Sequence, residues 1–447
     1  MKFETIWQKP RPLSTRKTGQ ILREAAHSLM GRMASEVAER ALIEMIGDAR
    51  FILMGEASHG THEFYEFRVR FTQRLLKQKG FRILAVEADS PDMQRVDSFA
   101  GGCTGDSTAE DALGGFSRFP RWMWRNEVIK EFIQWMRSFN LRPENAGSPA
   151  HLYGLDLYSL HASMDAVVRF LEKTDPSAAR RAKARYACFD SFGASPQLYG
   201  LAAKQGLGSC ESAVIEQLVE LQKTSAELHC EEAFLAKENA RVVKNAEAYY
   251  RALFDEDTIA WNLRDQHMTE TLESIVEHHG DSKAIVWAHN SHLGDARATE
   301  MADRGEWNVG QLMRQRYGDD CFTLGFSTYS GTVTAARDWD QPPERRHVRP
   351  ALAGSYEALL HIVGGNFWLN LHPDQPVEEL LKEPRLERAI GVIYRPESER
   401  GSHYFYSVLP DQFDAIVHFD YTRALDPLDR NAKWDRGELP ETYPSAL

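Results

Sequence analysis

Four short apolar runs, each followed at once by polar residues or glycine, constrain the fold of this chain more than any other feature. Runs of this length, rich in aliphatic and aromatic residues, are typical of buried strands, although periodicity alone does not separate them from buried helical turns. The four runs are 50–54, 82–86, 151–155 and 284–288, and the later strand candidates are 321–326, 367–371, 389–394 and 415–419.

A helix is predicted between the first two runs. Residues 62–79 carry Phe64, Phe67, Phe71 and Leu75 along one face, which is the spacing of an amphipathic helix. A strand, a helix and a second strand in close succession form the βαβ unit of a parallel sheet.

The segment 161–280 differs in kind, because it has almost no strand signal and carries long helical patterns at 211–254 and 260–279. We therefore expect an α/β fold with a largely parallel central sheet flanked by helices, and a long helical insertion that covers an active-site cleft. One composite domain over residues 1–447 is expected rather than two independent domains. Its parts are an N-terminal helical segment (1–50), the first half of the α/β core (51–160), the helical insertion (161–282), the second half of the core (283–425) and a tail (426–447).

Charge and cysteine usage narrow the class of protein. Acidic residues outnumber basic residues by 65 to 53, and the resulting formal charge of −12 argues against nucleic acid as a partner. The N-terminus lacks the apolar region of a secretory signal, and no apolar run approaches the roughly 20 residues that span a bilayer. The five cysteines are scattered without a CxxC pair, so we expect neither a disulfide framework nor a cysteine zinc site, and a cytoplasmic location.

Acidic and histidine side chains follow the four runs where each run ends. In a parallel sheet the ligand site lies beyond the carboxyl ends of the strands, so these side chains are expected to converge at one edge. Any one of them could instead cap the following helix, but four strands that end in the same way weaken that explanation for the whole set. The residues are Glu56 and His59 after the first run, Glu87 and Asp89 after the second, Asp156 after the third, and His289, Asn290 and His292 after the fourth.

Glu56 and His59 lie between Gly55 and Gly60. The ordinary pKa of histidine, near 6.5, lets His59 exchange a proton at neutral pH, and a nearby carboxylate orients its ring and stabilises the imidazolium. The glycines permit a tight strand-to-helix turn and close approach of the backbone to a ligand. This pattern predicts a general base that acts on water or a substrate hydroxyl. The alternative is that Ser58 or Glu56 caps the helix and His59 is a partly buried polar residue.

The sequence WAHNSH at 287–292 supplies a second pair of histidines. One of them is expected to polarise a carbonyl or protonate a leaving alkoxide, and His289 suits that chemistry better than His292, which suits packing or substrate binding. Arg68 on the predicted amphipathic helix and Arg264 in the insertion are cationic candidates. Either arginine could stabilise an oxyanion, hold a carboxylate or form a structural ion pair.

Several familiar catalytic motifs are absent from the sequence. Residues 62–66 begin like the zinc motif HExxH but end in glutamate, Ser58 does not lie in a GxSxG nucleophile elbow, and no P-loop or GxGxxG occurs. The converging glutamates and histidines would be acceptable zinc ligands, but their spacings match no recognised metal motif. Because a metal-free histidine base suffices for an activated ester, we expect no metal and no cofactor.

At these residues the sequence resembles the erythromycin esterase family. GExxHG and HNxH together carry the resemblance, which covers most of the chain and is weakest in the helical middle; its segments are 51–68, 80–89, 285–295, 308–340 and 395–428. The resemblance implies an α/β fold with a helical insertion enclosing a deep cleft, and ester hydrolysis by water without a covalent acyl-enzyme. In characterised members of the family the substrate is a macrolide lactone that is opened at its ester.

By motif position, the resemblance implies that His59 is the general base and that Glu56 assists it. His289 is implied to act on the carbonyl oxygen or the leaving group, while Glu87 lines the cleft and Arg68 has an anchoring or electrostatic role. The expected substrate-binding residues are His292, Asn290, Arg264 and Asp89. The leading hypothesis is a carboxylic-ester hydrolase of a small-molecule ester or lactone, with no nucleic acid and no membrane as partners. The alternatives are a non-catalytic small-molecule binding protein and a metal-assisted hydrolase of an unidentified substrate.

Overall fold

The computed structural model describes residues 15–103, 105–192, 195–228, 230–254, 257–280, 282–373 and 375–437. The first residues of the expected N-terminal segment, 1–14, and the last residues of the expected tail, 438–447, lie outside the described residues. The strands are β1 (His27–Ser28), β2 (Phe51–Met54), β3 (Ile83–Asp89), β4 (His151–Asp156), β5 (Ala284–Trp287), β6 (Cys321–Ala335), β7 (Glu344–Val348), β8 (Phe367–Asn370), β9 (Arg385–Arg388), β10 (Tyr404–Ser407) and β11 (Ala415–Thr422).

Helices flank these strands along the whole chain. Those before β5 are α1 (Thr15–Ala25), α2 (Arg32–Ile46), α3 (His62–Gln78), α4 (Ser90–Ala100), α5 (Ala109–Ala112), α6 (Glu127–Asn140), α7 (Leu160–Thr174), α8 (Pro176–Tyr186), α9 (Pro196–Lys204), α10 (Glu211–Leu228), α11 (Glu231–Ala252) and α12 (Asp257–His278). Those after β5 are α13 (Asn290–Leu293), α14 (Val309–Tyr317), α15 (Tyr356–Leu360), α16 (Glu378–Leu381), α17 (Glu399–Ser402), α18 (Leu409–Gln412) and α19 (Ala432–Arg436).

Nine strands form one sheet in the order β1-β8-β11-β6-β2-β5-β3-β4, with β7 paired to the C-terminal part of β6. From β11 to β4 all neighbouring strands are parallel. The strands β1, β7 and β8 pair antiparallel, and β9 and β10 form a separate antiparallel pair. The fold is therefore mixed α/β with a largely parallel central sheet, and the predicted fold class is confirmed.

The first predicted βαβ unit is present, but its two strands are not neighbours in the sheet. Helix α3 connects β2 to β3, and β5 lies between them, because Met54 of β2 and Val86 of β3 both pair with Trp287 of β5. The carboxyl ends of β2, β5, β3 and β4 are consequently adjacent. This arrangement brings the polar residues that follow these strands to one edge of the sheet.

Helix α3 packs its apolar face on this sheet. The ring of Phe64 has its centroid 5.4 Å from that of Phe326 on β6. Burying one large apolar side chain contributes about 1.5–3 kcal/mol, so the four buried residues of this face fix the helix and the turn that precedes it. These residues are Phe64, Phe67, Phe71 and Leu75.

The other predicted strands are present, with β3, β4, β6 and β11 ending later than expected, but one prediction is wrong. Residues 389–394 form only isolated bridges, to Ser58 and Ala336, and the strand β9 lies just before them. β9 is the polar sequence RLER, in which Glu387 and Arg388 are both buried. A hydrophobicity pattern misses this strand because its charged side chains lie inside the protein. There Ser407 Oγ donates a hydrogen bond to Glu387, and Glu399 forms an ion pair with Arg388.

Between β4 and β5 the described residues form helices only, namely α7 to α12 and a 3-10 helix at Ala187–Phe192. These helices have a hydrophobic core of their own, which includes Val167, Leu221 and Ala246. The segment is helical as predicted. Its treatment as an insertion, with boundaries at 161 and 282, stays a prediction.

Cys188 and Cys210 form a disulfide within this helical segment, with their Cα atoms 5.9 Å apart. The pairing corrects the expectation that the cysteines form no disulfide. Scattered cysteines without a recognisable spacing carry no pairing signal in the sequence, and these two meet because both pack in the core of the helical segment. Cys103, Cys230 and Cys321 are free.

Along the described part of the chain, no helix combines the length and the apolar character needed to cross a membrane.

Candidate active site

A cavity of about 380 Å³ lies beyond the carboxyl ends of β2, β3, β4 and β5. The structure brings together in its wall most of the side chains that were selected from the strand ends, and several aromatic rings line the same wall. The polar residues are His59, Glu87, Asp89, Asp92, Arg118, Asp156, Arg264, His289, Ser291 and His292. The aromatic residues are Phe116, Phe119, Trp124, Tyr158, Trp261 and Trp339.

His59 lies in the turn between β2 and α3, and its Nδ1 is 2.8 Å from Oε1 of Glu56. Arg68 donates a hydrogen bond to the other oxygen of Glu56 at 2.7 Å. Both Glu56 and Arg68 are almost fully buried, and each balances the charge of the other, because a buried charge without a partner is costly. Glu56 therefore accepts a hydrogen bond from Nδ1–H of His59. This leaves Nε2 of the neutral ring with the lone pair.

The pKa of His59 lies above its usual value of 6.5. Burial lowers this pKa, but the hydrogen bond to Glu56 and the negative charges of Glu87 and Glu56 outweigh the effect of burial. A histidine with a raised pKa is a stronger base once its proton is lost. His59 thus combines an oriented ring, basic strength and a place in the cavity wall.

Gly55 and Gly60 are required by the packing of the protein on itself. A Cβ at Gly60 would lie 1.9 Å from the carbonyl oxygen of Thr334, and a Cβ at Gly55 would lie 2.1 Å from Oδ1 of Asn290. The expectation that these glycines let the backbone approach a ligand is therefore corrected. They let the turn that carries His59 pack against β6 and α13.

His289 lies two residues after β5, and its ring centroid is 4.9 Å from that of His59. The backbone N–H of Ser291 donates to Nδ1 of His289 at 3.2 Å, and the Ser291 hydroxyl is 2.8 Å from the same nitrogen. Nδ1 is therefore an acceptor, and the neutral ring carries its hydrogen on Nε2. Nε2 is buried and has no hydrogen-bond partner among the described residues; the backbone of Ala57 is near but does not accept in normal geometry.

Burial, together with the charge of His59, lowers the pKa of His289 to about 3. The ring is consequently neutral at physiological pH. A neutral imidazole with an unpartnered N–H in the wall of a buried cavity is suited to stabilise negative charge on a carbonyl oxygen.

Arg264 of α12 joins the ends of several strands. It donates to both carboxylate oxygens of Asp156, at 3.0 and 2.6 Å, and to Oε1 of Glu87 at 2.6 Å. The second oxygen of Glu87 accepts a hydrogen bond from the backbone N–H of His289 at 2.9 Å. Burial raises the pKa of Glu87, but the positive charges around it, including Arg264, hold that pKa well below its usual value. Both oxygens of this carboxylate are thus occupied.

His292 has both ring nitrogens engaged in hydrogen bonds. Arg264 lies 2.8 Å from Nε2, and because an arginine only donates, Nε2 must accept. Nδ1–H then donates to Asp265 at 2.9 Å. The ring also stacks on Trp261, with a centroid distance of 4.6 Å. His292 therefore holds α12 against the site and has no free nitrogen with which to move a proton.

Three of the residues selected from the sequence, Glu56, Arg68 and Asn290, do not line the cavity. The side-chain amide of Asn290 donates to the carbonyl of Phe326 at 2.7 Å and accepts from its N–H at 3.2 Å, which fixes α13 on β6. Arg68 lies between the rings of Tyr65 and Trp287, with distances of 4.5 and 5.0 Å to their centroids. The side chains of Asn290 and Arg68 thus contact the protein around the cavity, and their predicted roles stay predictions.

Asp89 lies in the cavity wall, where Arg118 donates to it at 2.8 Å. Burial raises the pKa of Asp89 to about 7, against the lowering effect of Arg118. Ser58 is bound to the hydroxyl of Thr61 and does not cap α3, so the capping alternative to a catalytic turn does not hold for this serine.

Sequence reasoning missed several residues of the site. Asp265 and Trp261 lie on α12 beside the predicted arginine, and helical spacing from that arginine would have found Trp261, three positions before it. Ser291 lies within the HNSH motif, where its role depends on the local turn. Arg118 and Tyr158 come from loops, and nothing local in the sequence marks them.

Among the residues that the structure describes, no group of three or more His, Cys, Asp or Glu side chains is arranged to hold a metal ion. Several atoms that could act as metal ligands already have hydrogen-bond partners, namely the Nδ1 atoms of His59 and His292 and both oxygens of Glu87.

A largely parallel α/β sheet thus carries a buried histidine–glutamate pair at its carboxyl edge. The chain belongs to the erythromycin esterase family, whose profile matches residues 76–422. The matched range includes Glu87, Arg264 and His289, and it begins after Glu56 and His59. Family membership supports a hydrolase-type function at this level.

Two relatives and one solved structure are similar to this chain. The chain is 22% identical to the Bacillus subtilis (strain 168) protein YbfO over 360 residues, which is 75% of this chain and 77% of that protein. It is 23% identical to the erythromycin esterase type II of Escherichia coli over 317 residues, 66% of this chain and 73% of that protein. The chain superposes on the structure of a mutant erythromycin esterase in its open conformation with a TM-score of 0.64 and 17% sequence identity. The superposition covers 88% of this chain and 95% of the mutant esterase. At this identity the structural likeness shows a shared fold.

Proposed function

We propose that this protein is a carboxylic-ester hydrolase in which His59 activates a water molecule. One observation carries the proposal: two histidine rings lie 4.9 Å apart in the wall of one cavity, and their hydrogen bonds give them complementary roles. His59 is held through Nδ1, so its Nε2 is the basic atom. His289 is held through Nδ1 as an acceptor, so its Nε2–H is a donor.

The reaction begins when Nε2 of His59 takes a proton from water as the water oxygen attacks the ester carbonyl carbon. Glu56 stabilises the imidazolium that forms, and Arg68 positions Glu56. Nε2–H of His289 donates to the oxyanion of the tetrahedral intermediate. When the intermediate collapses, the bond to the alkoxide breaks and the imidazolium of His59 returns its proton to the leaving oxygen. The products are a carboxylic acid and an alcohol, and no bond forms between protein and substrate.

The cavity supports a small, mostly apolar ester or lactone as the substrate. Its volume of about 380 Å³ is near the lower end of the range of roughly 300–1,000 Å³ in which drug-sized ligands bind. Its aromatic wall favours apolar contact, and its two arginines already bind carboxylates. Because the Escherichia coli relative is named as an erythromycin esterase, macrolide lactones belong among the substrates to be assayed.

The test is hydrolysis of p-nitrophenyl butyrate and of a macrolide lactone by the purified protein and by a His59→Ala variant. We expect kcat/KM to fall by about 10³-fold in the variant, within the range that a general base contributes. The thermal midpoint should change little, because the substitution leaves Glu56 paired with Arg68.

His372→Ala is the matched control, because this histidine is half-exposed and does not line the cavity. Its kcat/KM is expected to equal that of the unchanged protein. Ester hydrolysis that survives in His59→Ala at the unchanged rate would remove His59 from the mechanism. Absence of hydrolysis in the unchanged protein across aryl esters and lactones would contradict the esterase proposal itself.

A further inference from the structure

Phe119 and Trp339 lie at the edge of the cavity and have no part in the proposed chemistry. Their ring centroids are 4.9 Å apart, although Phe119 precedes α6 and Trp339 lies between β6 and β7. Phe119 also packs on Trp122, with a centroid distance of 5.2 Å. Trp122 is 3% exposed and Trp339 is 51% exposed, so the three rings form a continuous row from the interior to the surface.

A second cavity, of about 750 Å³, adjoins the first at this row of rings. Phe119 lines both cavities. Trp339 lines the first cavity, whereas the next two residues along the chain, Asp340 and Gln341, line the second. The rings of Phe119 and Trp339 therefore form a partition between the two spaces.

The loop around Trp339 holds this ring in place. The backbone N–H of Trp339 donates to Oδ1 of Asp338 at 2.8 Å, and the N–H of Gln341 donates to the carbonyl of Asp338 at 3.2 Å. Arg395 anchors the same turn, with an ion pair to Asp338 at 3.2 Å and a hydrogen bond to the carbonyl of Arg337 at 3.0 Å. These contacts fix the turn from which the side chain of Trp339 extends, and the ring itself packs on Phe119.

Water contact with a large aromatic ring is unfavourable, and exposed aromatic surface beside a cavity commonly marks a binding site. The ring of Trp339 contacts Phe119 on one side and contributes to the wall that a substrate would meet.

We propose that Phe119 and Trp339 set the upper size of the substrate by closing the reaction cavity against the neighbouring cavity. The proposal rests on the esterase function for the identity of the ligand. Esters whose acyl part fits within the first cavity bind fully, and longer acyl chains are stopped at the two rings. Replacing Trp339 with alanine joins the cavities and lets longer chains reach the apolar part of the second cavity, which Phe119, Trp122, Pro342, Pro343 and Pro427 form beside polar and charged side chains.

The experiment measures the binding of p-nitrophenyl butyrate, hexanoate and octanoate in a His59→Ala background, where turnover does not interfere. We expect Trp339→Ala in that background to raise the octanoate-to-butyrate affinity ratio about tenfold, the effect of newly burying fewer than two methylene groups. Trp339→Phe keeps a ring at the boundary and should leave the ratio near that of the parent. In the catalytically active protein, the kcat/KM ratio for the same two esters should shift in the same direction.

Tyr421→Ala is the control for the loss of an exposed aromatic ring, because Tyr421 is 64% exposed and lines neither cavity. An octanoate-to-butyrate ratio that stays within twofold of the parent in Trp339→Ala, in a protein with an unchanged thermal midpoint, overturns the inference. The same holds if Tyr421→Ala shifts the ratio as much as Trp339→Ala does. A failure of the esterase proposal is recognised separately, as absence of turnover in the active protein, while the affinity ratio still decides the role of the two rings.

Discussion

His59 and His289 are neighbours in the cavity wall, and the groups that bind their Nδ1 atoms make them different. A carboxylate accepts from Nδ1 of His59, which raises the pKa of that ring and directs its basic nitrogen away from Glu56. A backbone N–H donates to Nδ1 of His289, and burial lowers the pKa of that ring to about 3. Two identical side chains thereby become a base and a hydrogen-bond donor, in the way that enzymes separate the roles of paired titratable groups.

The pH dependence of activity follows from this difference. We expect kcat/KM for an aryl ester to rise through an inflection above pH 6.5 and then level off, because only the deprotonated form of His59 takes a proton from water and its pKa is raised. His289, with a pKa of about 3, adds no inflection in this range. Asp89 has a pKa of about 7, so the profile is also recorded in Asp89→Asn, where the inflection should persist. A flat profile between pH 6 and pH 8 would contradict the role of His59.

Substitution of Ser291 tests whether water attacks the ester directly or a serine forms an acyl-enzyme. Its hydroxyl is 2.8 Å from Nδ1 of His289, so it is the hydroxyl in the cavity wall that most resembles an activated nucleophile. We expect Ser291→Ala to retain at least about a tenth of kcat, because the backbone N–H of residue 291 still fixes the ring of His289. Mass spectrometry of the protein during turnover should detect no acyl adduct. A loss of about 10³-fold or more, with an adduct in the unchanged protein, would establish a serine mechanism instead.

The turn between β2 and α3 shows how one element positions the site. The N–H of Thr334 on β6 donates to the carbonyl of Gly60 at 2.9 Å, and the N–H of Leu425 donates to the same oxygen at 2.9 Å. This double contact is possible because Gly60 has no side chain between the two backbones. The position of His59 relative to the sheet is therefore set by main-chain contacts of Gly60 with Thr334 and Leu425.

Substitution of Gly60 by alanine tests this dependence. Its Cβ would lie 1.9 Å from the carbonyl oxygen of Thr334, so the turn must move away from β6. We expect the free energy of unfolding to fall by about 3 kcal/mol, at the upper end of the usual cost of overpacking, and ester hydrolysis to be lost with the position of His59. Denaturant unfolding measures the first effect and initial rates measure the second. Gly147→Ala is the control, since its Cβ would meet no atom within 4 Å, and equal losses in both variants would refute the argument.

The sequence located the strands that end at the site because both signals are local: a short apolar run forms the strand, and polar residues stand directly after it. It also predicted the parallel sheet and the amphipathic face of α3. The order of the strands was not predictable, because the position of β5 between β2 and β3 depends on pairing between segments far apart in the chain. The strand β9 was missed because Glu387 and Arg388 are charged but buried, and their burial depends on partners from other segments.

Within the site, too, local motifs could be found from the sequence, whereas contacts between distant segments could not. Glu56 and His59 form one local motif and could be selected together, whereas Arg118 and Asp265 take part only because other segments fold against them. Asn290 was selected for its place after a strand, and its side chain binds the backbone of β6. A residue type and a position define a candidate, and the tertiary contacts decide which way its side chain faces.

At the scale of the whole molecule, the helical segment is joined to the sheet through the site itself. Arg264 of α12 binds carboxylates in the carboxyl-terminal parts of β3 and β4, and Asp265 of the same helix binds His292 after β5. Buried charges of this kind are stable only as a complete set. The contacts that hold the helices on the sheet are therefore the same contacts that shape the cavity.

Replacement of Arg264 by lysine tests this connection. Lysine keeps the positive charge but cannot make the forked pair of hydrogen bonds to Asp156 together with the bonds to Glu87 and His292. We expect the free energy of unfolding to fall by about 2 kcal/mol and kcat/KM to fall by about a hundredfold. Arg251→Lys is the control, because its ion pair with Glu247 is partly exposed and should change stability by about 1 kcal/mol or less. An Arg264→Lys protein with unchanged stability and rate would show that the helices and the site are independent.

The place of β5 in the sheet also has a consequence for biosynthesis. As the chain leaves the ribosome, β2 and β3 are made before the strand that separates them, and the whole helical segment must follow before β5 appears. Until then β2 and β3 lack the strand that pairs with both of them, and strands with unpaired edges are open to pairing with a strand of another chain. The histidine pair forms across that same gap, so a nascent chain that has not yet reached β5 carries His59 without His289 and cannot act on an ester in the way proposed.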